Sequence, residues 1–216
     1  MTLTYDLFWS FRSPYSYLLT PRLLELDRDY VVKSNVRPVY PLAVRIDGFF
    51  TSVNPLWWSY LRRDVSRAAE MLRMPYAPPH PDPIVMNLQT GEVSKAQPYI
   101  SRLTRLGVAA AERGNGLALL HEVSTVIFGG TRDWQLGDHL ARAVARSGLD
   151  LVDLDRDIEA RTLHYEAAIA DNEAAQKHAG HWGVPLMVFE NEPFFGQDRF
   201  EALKWRMAQK GLKRRA

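Results

Sequence analysis

Apolar residues at alternate positions, Leu3, Tyr5, Leu7 and Trp9 with Thr4, Asp6 and Phe8 between them, predict a strand at the start of the chain. The spacing then changes to Leu18, Leu19, Leu23 and Leu26, which predicts a helix from about Pro14 to Leu26, ending near Asp27-Arg28-Asp29. Tyr30-Val31-Val32 and Val36-Arg37-Pro38-Val39-Tyr40 are β-branched and aromatic and read as a second strand, with Pro38 marking an edge or a strand end. Strand, helix, strand in this order usually makes a parallel pair.

From Pro41 the pattern is helical. Asp47-Gly48 and Asn54-Pro55 mark a loop, after which Trp57, Leu61, Val65, Ala68 and Leu72 recur at helical spacing until Pro75. Prolines 75, 78, 79, 81 and 83 make the next segment irregular and extended. Further helices are predicted over Pro98 to Arg113, Gly116 to Phe128 and Leu136 to Arg146. Another opens at Asp155 with Ile158 and Leu163, and one more runs from Tyr165 to Ala179. Leu186 to Phe189, the turn Glu190-Asn191-Glu192 and the run Pro193-Phe194-Phe195 predict a hairpin. Gly196 breaks it, and Asp198 is placed to cap a last helix carrying Phe200, Leu203 and Met207. The two ends therefore supply strand–helix–strand and helix–hairpin–helix, with a helical block between them.

Composition narrows the chemistry. The chain has 216 residues, 46% of them hydrophobic, enough for one large domain or a domain carrying an insertion. Its 27 basic and 25 acidic residues leave a net charge of +2, which suggests neither nucleic acid nor a membrane surface as partner. The tail residues Lys210, Lys213, Arg214 and Arg215 read as a solvated helix end. With no cysteine there is no disulfide, no thiolate metal site and no redox cycle on the protein's own thiols. No basic-then-apolar leader and no membrane-length apolar run is present, so a cytoplasmic protein is expected. His178 and His181 share a helix face, but no carboxylate completes a zinc motif, and no metal is expected. Hydrolase-elbow, phosphate-loop and dinucleotide signatures are missing as well.

The candidate chemistry lies at the first strand-to-helix turn. Ser13 precedes Pro14, which suits the first turn of a helix because its missing N–H would have no partner there. Ser13 is thus an N-cap candidate, with its hydroxyl beside free N–H groups and the positive end of the helix dipole, where an anion is stabilised. A cap alone is worth about 1 kcal/mol.

The order of elements resembles an α/β thioredoxin-like (DsbA-like) domain, residues 1–42 and 165–216, interrupted by an inserted all-helical domain, residues 43–164. Redox members of that fold carry Cys-x-x-Cys at the turn; here it reads Ser13-Pro14-Tyr15-Ser16. Gly183-Val184-Pro185 resembles the fold's cis-proline segment. With Glu192-Pro193-Phe194-Phe195-Gly196-Gln197-Asp198-Arg199 added, the chain resembles the 2-hydroxychromene-2-carboxylate isomerases and the kappa-class glutathione transferases. The resemblance implies glutathione as cofactor, with Ser13 donating a hydrogen bond to its thiolate. Val184 and Pro185 would face the cysteinyl part, Gln197 and Asp198 would hold the γ-glutamyl end, and Asn54 would be a further contact. It also implies a homodimer and, between the domains, a small aromatic or unsaturated carboxylate as substrate. The thiolate would add to the substrate, a bond would open or rotate, and the thiolate would leave without net redox change.

Three departures accompany the resemblance. Ser10 stands where relatives often have an acidic residue, the loop before Asn54-Pro55 is short, and a ligand-binding lysine is replaced near Trp57. Arg62, Arg63 and Arg45 are the candidate substitutes for its charge. Trp57 and Trp58 are read either as substrate wall or as core, and Arg12 either as an attractor for an anionic substrate or as half of a surface ion pair. A kappa-like transferase and a non-catalytic binding protein are the alternative functions.

Overall fold

The computed structural model describes residues 2–87 and 89–215. Strand β1 (Leu3–Trp9), helix α1 (Pro14–Asp29) and strand β2 (Val32–Pro38) form the expected unit, and β1 and β2 run parallel with Leu3 opposite Val32 and Trp9 opposite Pro38. Strands β3 (Leu186–Phe189) and β4 (Glu192–Phe195) complete a four-stranded sheet in the order β2-β1-β3-β4, with both later pairings antiparallel. The hairpin turn is tighter than expected: Glu190 and Asn191 at φ 49° and 65° form it alone, and Glu192 is already in β4. Two consecutive left-handed residues match the twist of the flanking strands.

Between β2 and β3 lie α2 (Leu42–Arg45), α3 (Phe49–Ser52), α4 (Pro55–Met71), α5 (Pro98–Glu112), α6 (Gly116–Phe128), α7 (His139–Arg146), α8 (Leu151–Ala160) and α9 (Thr162–His178). A single 3₁₀ turn, Gln197–Arg199, leads into α10 (Phe200–Gln209). The expected loop after Pro41 thus contains two one-turn helices. Helix α8 starts before Asp155, because Asp150 accepts the backbone N–H of Asp153 at 2.9 Å and caps it. Helix α7 begins at His139 rather than Leu136, and Leu163, expected to face inward, is 86% exposed.

Alternation along β1 sets the layers. Tyr5, Leu7 and Trp9 enter a core shared with α1, α4, α5, α6 and α10, whereas Phe8 points to the other face and packs with Val39, Leu186 and Ala175 of α9. A fully buried side chain of this size contributes about 1.5–3 kcal/mol. Gly107 lets α5 approach the turn, since a Cβ there would lie 2.9 Å from the Phe11 ring and 3.0 Å from Pro38. Helix α1 contains Pro21, which cannot donate to the carbonyl of Tyr17; the Thr20 hydroxyl donates to it instead at 2.8 Å. With its proton so committed, Thr20 Oγ1 accepts from His121 Nδ1 at 3.0 Å, joining α1 to α6.

Of the basic tail, Lys210 is an exposed helix end, the C-cap of α10, but the residues beyond it are docked by their backbone. Val31 donates to the Lys213 carbonyl and Arg215 to the Asp29 carbonyl, both at 2.8 Å, so the last residues run beside the chain between α1 and β2. Tyr30 closes α1 as its C-cap instead of starting a strand, with Lys204 and Arg214 over its ring. Backbone groups of that short edge explain the docking: Val31 and Asp29 lie outside the β1–β2 ladder and take partners from the tail.

Candidate active site

The end of β1 and the start of α1 place Ser13 as expected. It is extended, at φ −97° and ψ 111°, and its Oγ accepts the backbone N–H of Ser16 at 3.2 Å. The same hydroxyl donates to the carbonyl of Val184 at 3.3 Å. Val184-Pro185 is a cis peptide bond, so the serine turn and the cis-proline segment, 171 residues apart in sequence, face each other directly. Ser10 is buried and its carbonyl and hydroxyl accept from the N–H groups of Ser13 and Arg12, a role internal to the turn. Ser16 is fully buried with no partner for its hydroxyl.

Beside this contact is a cleft of about 400 Å³ lined by Tyr15, Val184, the 196–198 segment and one face of α4. That volume is in the range of small-molecule sites. Tyr60, Asp64, Arg67 and Met71 form the α4 wall, at spacings of four, three and four residues that bring them to one face. Asp64 organises it: the Tyr15 hydroxyl donates at 2.5 Å, the Tyr60 hydroxyl at 3.3 Å, and Arg67 forms an ion pair with the same carboxylate. The Tyr15 hydrogen bond holds the Asp64 carboxyl below its ordinary range, helped by Arg67. Burial and the same carboxylate push the Tyr15 phenol well up, so Tyr15 is a fixed donor and not a base. A larger cavity of about 680 Å³ lies elsewhere, beside Tyr5, Asp27 and Asn35, and is remote from Ser13 in the residues it engages.

Another wall of the cleft is the segment Gly196-Gln197-Asp198, tied to the cis-proline segment by the Gly196 N–H, which donates to the Pro185 carbonyl at 2.9 Å. Asp198 does not cap α10; Arg199 occupies that position without a side-chain cap bond. Gly196, at φ 98°, begins a 3₁₀ turn that puts Asp198 inside it, 61% exposed at its side chain and 3.6 Å from Arg199. Gln197 is buried, and its Oε1 accepts from Arg22 at 2.5 Å.

The remaining candidates lie outside the lining of this cleft. Asn54 is exposed and caps α4, accepting from Leu56 N–H at 3.0 Å. Trp57, 37% exposed, belongs to an aromatic cluster with Phe49, Phe50 and Trp58, its ring centroid 6.2 Å from Phe49 and 4.9 Å from Trp58. Arg12 is held by both oxygens of Asp82 at 2.8 Å and lies over the Phe50 ring. Of the cations considered for the lost lysine, Arg45 binds Gln176 and the Trp182 carbonyl, while Arg62 and Arg63 are exposed on α4. The cation that does line the cleft is Arg67, which sequence reading passed over although its spacing from Tyr60 and Asp64 places it there.

The loop before the cis proline carries a titratable prop. Gly183 N–H donates to His181 Nδ1 at 3.0 Å, which requires an unprotonated Nδ1, and the His181 ring stacks on Phe195 of the cleft wall at 3.9 Å. Burial lowers the His181 pKa below its ordinary value, and the Gly183 N–H, which the protonated ring could not accept, favours the same neutral form. A histidine lowered in the folded state stabilises the fold fully above the ordinary value of about 6.5, and that contribution is lost as pH falls through the folded value. Denaturant titrations at a series of pH values are expected to show wild type losing stability on acidification in this window, and His181→Phe, which keeps the stacking, losing less.

The comparisons with known proteins agree with this architecture. The model of the DSBA-like thioredoxin domain matches residues 4–208. A structure of 2-hydroxychromene-2-carboxylate isomerase superposes with a TM-score of 0.70 at 21% identity, covering 96% of this chain and 95% of that one. A probable DsbA oxidoreductase from Streptomyces coelicolor gives a TM-score of 0.65 at 16% identity, over 96% and 89% of the two chains. The cytosolic disulfide reductase DsbM from Pseudomonas aeruginosa, in a structure with GSH, gives 0.59 at 16% identity over 96% and 100%. No curated protein matches the sequence. A four-stranded mixed sheet with helices inserted between β2 and β3, a helix-start turn facing a cis proline, and a family match across nearly the whole chain lead to one assignment: the protein belongs to the DSBA-like thioredoxin domain family.

Proposed function

We propose that this protein is a glutathione-dependent isomerase of the 2-hydroxychromene-2-carboxylate type, acting in the cytoplasm on a small aromatic or unsaturated carboxylate. The observation that carries the reading is the contact between Ser13 Oγ and the Val184 carbonyl beside a cleft that Val184, Gln197 and Asp198 line, in a chain without cysteine. The residues present fit glutathione: the cleft carries Asp64, Arg67, Gln197 and Asp198 on its walls and lies beside a hydroxyl at a helix start. Glutathione supplies the nucleophilic thiol that the chain lacks.

The protein's own residues then have defined tasks. Ser13 has one hydroxyl proton, and here it is given to Val184. Turning it toward a sulfur anion frees the Val184 carbonyl to accept from an N–H group, so a single rotation prepares two contacts. The start of α1 adds its dipole and free N–H groups, which lower the pKa of a thiol placed there. Tyr15 stays protonated and Asp64 ionised, leaving the α4 wall a rigid frame in which Arg67, its charge balanced by Asp64, has further N–H donors to offer a carboxylate. The Trp57–Trp58–Phe50 cluster, joined to the turn through Arg12, offers aromatic surface to an unsaturated substrate.

Two members of the structural family named above are linked to thiol redox chemistry, but that cycle needs cysteines in the protein, and Ser13 and Ser16 occupy the turn. The test is product analysis with reduced glutathione and 2-hydroxychromene-2-carboxylate. An isomerised product with all thiol recovered supports the proposal. A product that retains glutathione indicates a kappa-like transferase, and no conversion of this or related unsaturated carboxylates counts against an isomerase.

A further inference from the structure

Arg22 lies in the third turn of α1, away from the serine cap, yet it reaches the 196–198 segment of the cleft wall. Its guanidinium donates to Gln197 Oε1 at 2.5 Å across 175 residues of sequence. It also stacks over the Phe200 ring, with its Cζ 5.4 Å from the centroid, and its Nε is buried without a partner. Glu25, Asp198 and Glu201 surround it electrostatically, and burial lowers its pKa against their pull. Three carboxylates balance one guanidinium, so the residue adds little net attraction for an anion entering the cleft. What it does is directional. Arginine has donors only, so the Gln197 side chain must turn its oxygen toward Arg22. The amide nitrogen is thereby left on the other side of a residue that lines the cleft, and among the described residues it has no hydrogen-bond partner.

We propose that Arg22 is a positioning residue that locks the Gln197 carboxamide with its NH₂ group toward the cleft, presenting donors to the α-carboxylate of a γ-glutamyl ligand. The inference rests on the glutathione reading and adds its specificity element. Without the lock the amide can flip and present its oxygen, and two acceptors then face each other.

The test is calorimetric titration of wild type, Arg22→Met and Gln197→Glu with two ligands: glutathione and its analogue in which γ-aminobutyrate replaces γ-glutamate, so that only the α-carboxylate is missing. Gln197→Glu keeps a partner for Arg22 but puts an acceptor where the NH₂ was, so it serves even where Arg22→Met folds poorly. Both variants are expected to bind glutathione about ten- to thirtyfold more weakly, the lower part of the range for a lost hydrogen bond to a charged group, and the analogue within about twofold of wild type. In turnover assays KM for glutathione should rise with kcat nearly unchanged. Equal losses for both ligands would reduce Arg22 to a structural residue and overturn the proposal, as would unchanged glutathione affinity in the variants. Failure of wild type to bind glutathione at all would remove the underlying reading together with this inference, an outcome distinct from the other two.

Discussion

Ser13→Ala is expected to lower turnover at saturating glutathione by about 10²- to 10³-fold, the effect of deleting one preorganised donor to a developing anion. Two roles meet in this hydroxyl: it caps α1 through Ser16 N–H and reaches Val184 across the cleft head. They can be separated. Alanine loses the cap and the donor, and unfolding free energy should fall by about 1 kcal/mol. Glycine at an N-cap costs only a few tenths of a kcal/mol, so Ser13→Gly should keep nearly all the stability and lose nearly all the rate. Steady-state kinetics and denaturant unfolding of the two variants check both halves. A rate loss that merely follows the stability loss would mean that Ser13 is only a cap.

Asp198→Ala is expected to weaken glutathione binding by about 10- to 30-fold while leaving unfolding free energy within about 0.5 kcal/mol. The reason is its placement. Its side chain is largely exposed and caps no helix, and its ion pair among the described residues is with Arg199 at 3.6 Å, so the fold depends little on it. In the proposed complex the Asp198 carboxylate, which lines the cleft, would pair with the γ-glutamyl ammonium group, a charge-assisted contact stronger than a neutral hydrogen bond. Because the site is open to solvent, added salt should shrink the difference between variant and wild type. Titration calorimetry at low and high ionic strength measures this, and equal affinities at low salt would remove Asp198 from the site.

The parts of this molecule legible in sequence are those written in period and in backbone chemistry. Alternation in Leu3–Trp9, helical spacing in Pro14–Asp29 and Gly116–Phe128, and the serine-proline turn all correspond to elements of the fold. The juxtaposition of Ser13 with Val184-Pro185 followed from the family resemblance and not from spacing, since nothing local ties residues so far apart. Pairings among polar side chains carry no period at all. The sequence pattern shows neither Arg12 with Asp82, although Arg12 stands beside the candidate turn, nor Arg22 with Gln197. In sequence the last residues look like a solvated helix end because charge is visible and backbone demand is not: groups at Asp29 and Val31 outside the β1–β2 ladder draw the tail in. Asp198 was placed as a cap by its residue type, and the left-handed Gly196 moved the turn.

The measurement that bears most directly on the central claim is the ionisation of the glutathione thiol bound to wild type and to Ser13→Ala, followed by thiolate ultraviolet absorbance as pH is raised. Wild type should lower the thiol pKa well below that of free glutathione, and Ser13→Ala should return it most of the way. Bound glutathione with an unshifted thiol in wild type, or an equal shift in both proteins, would contradict a serine-stabilised thiolate.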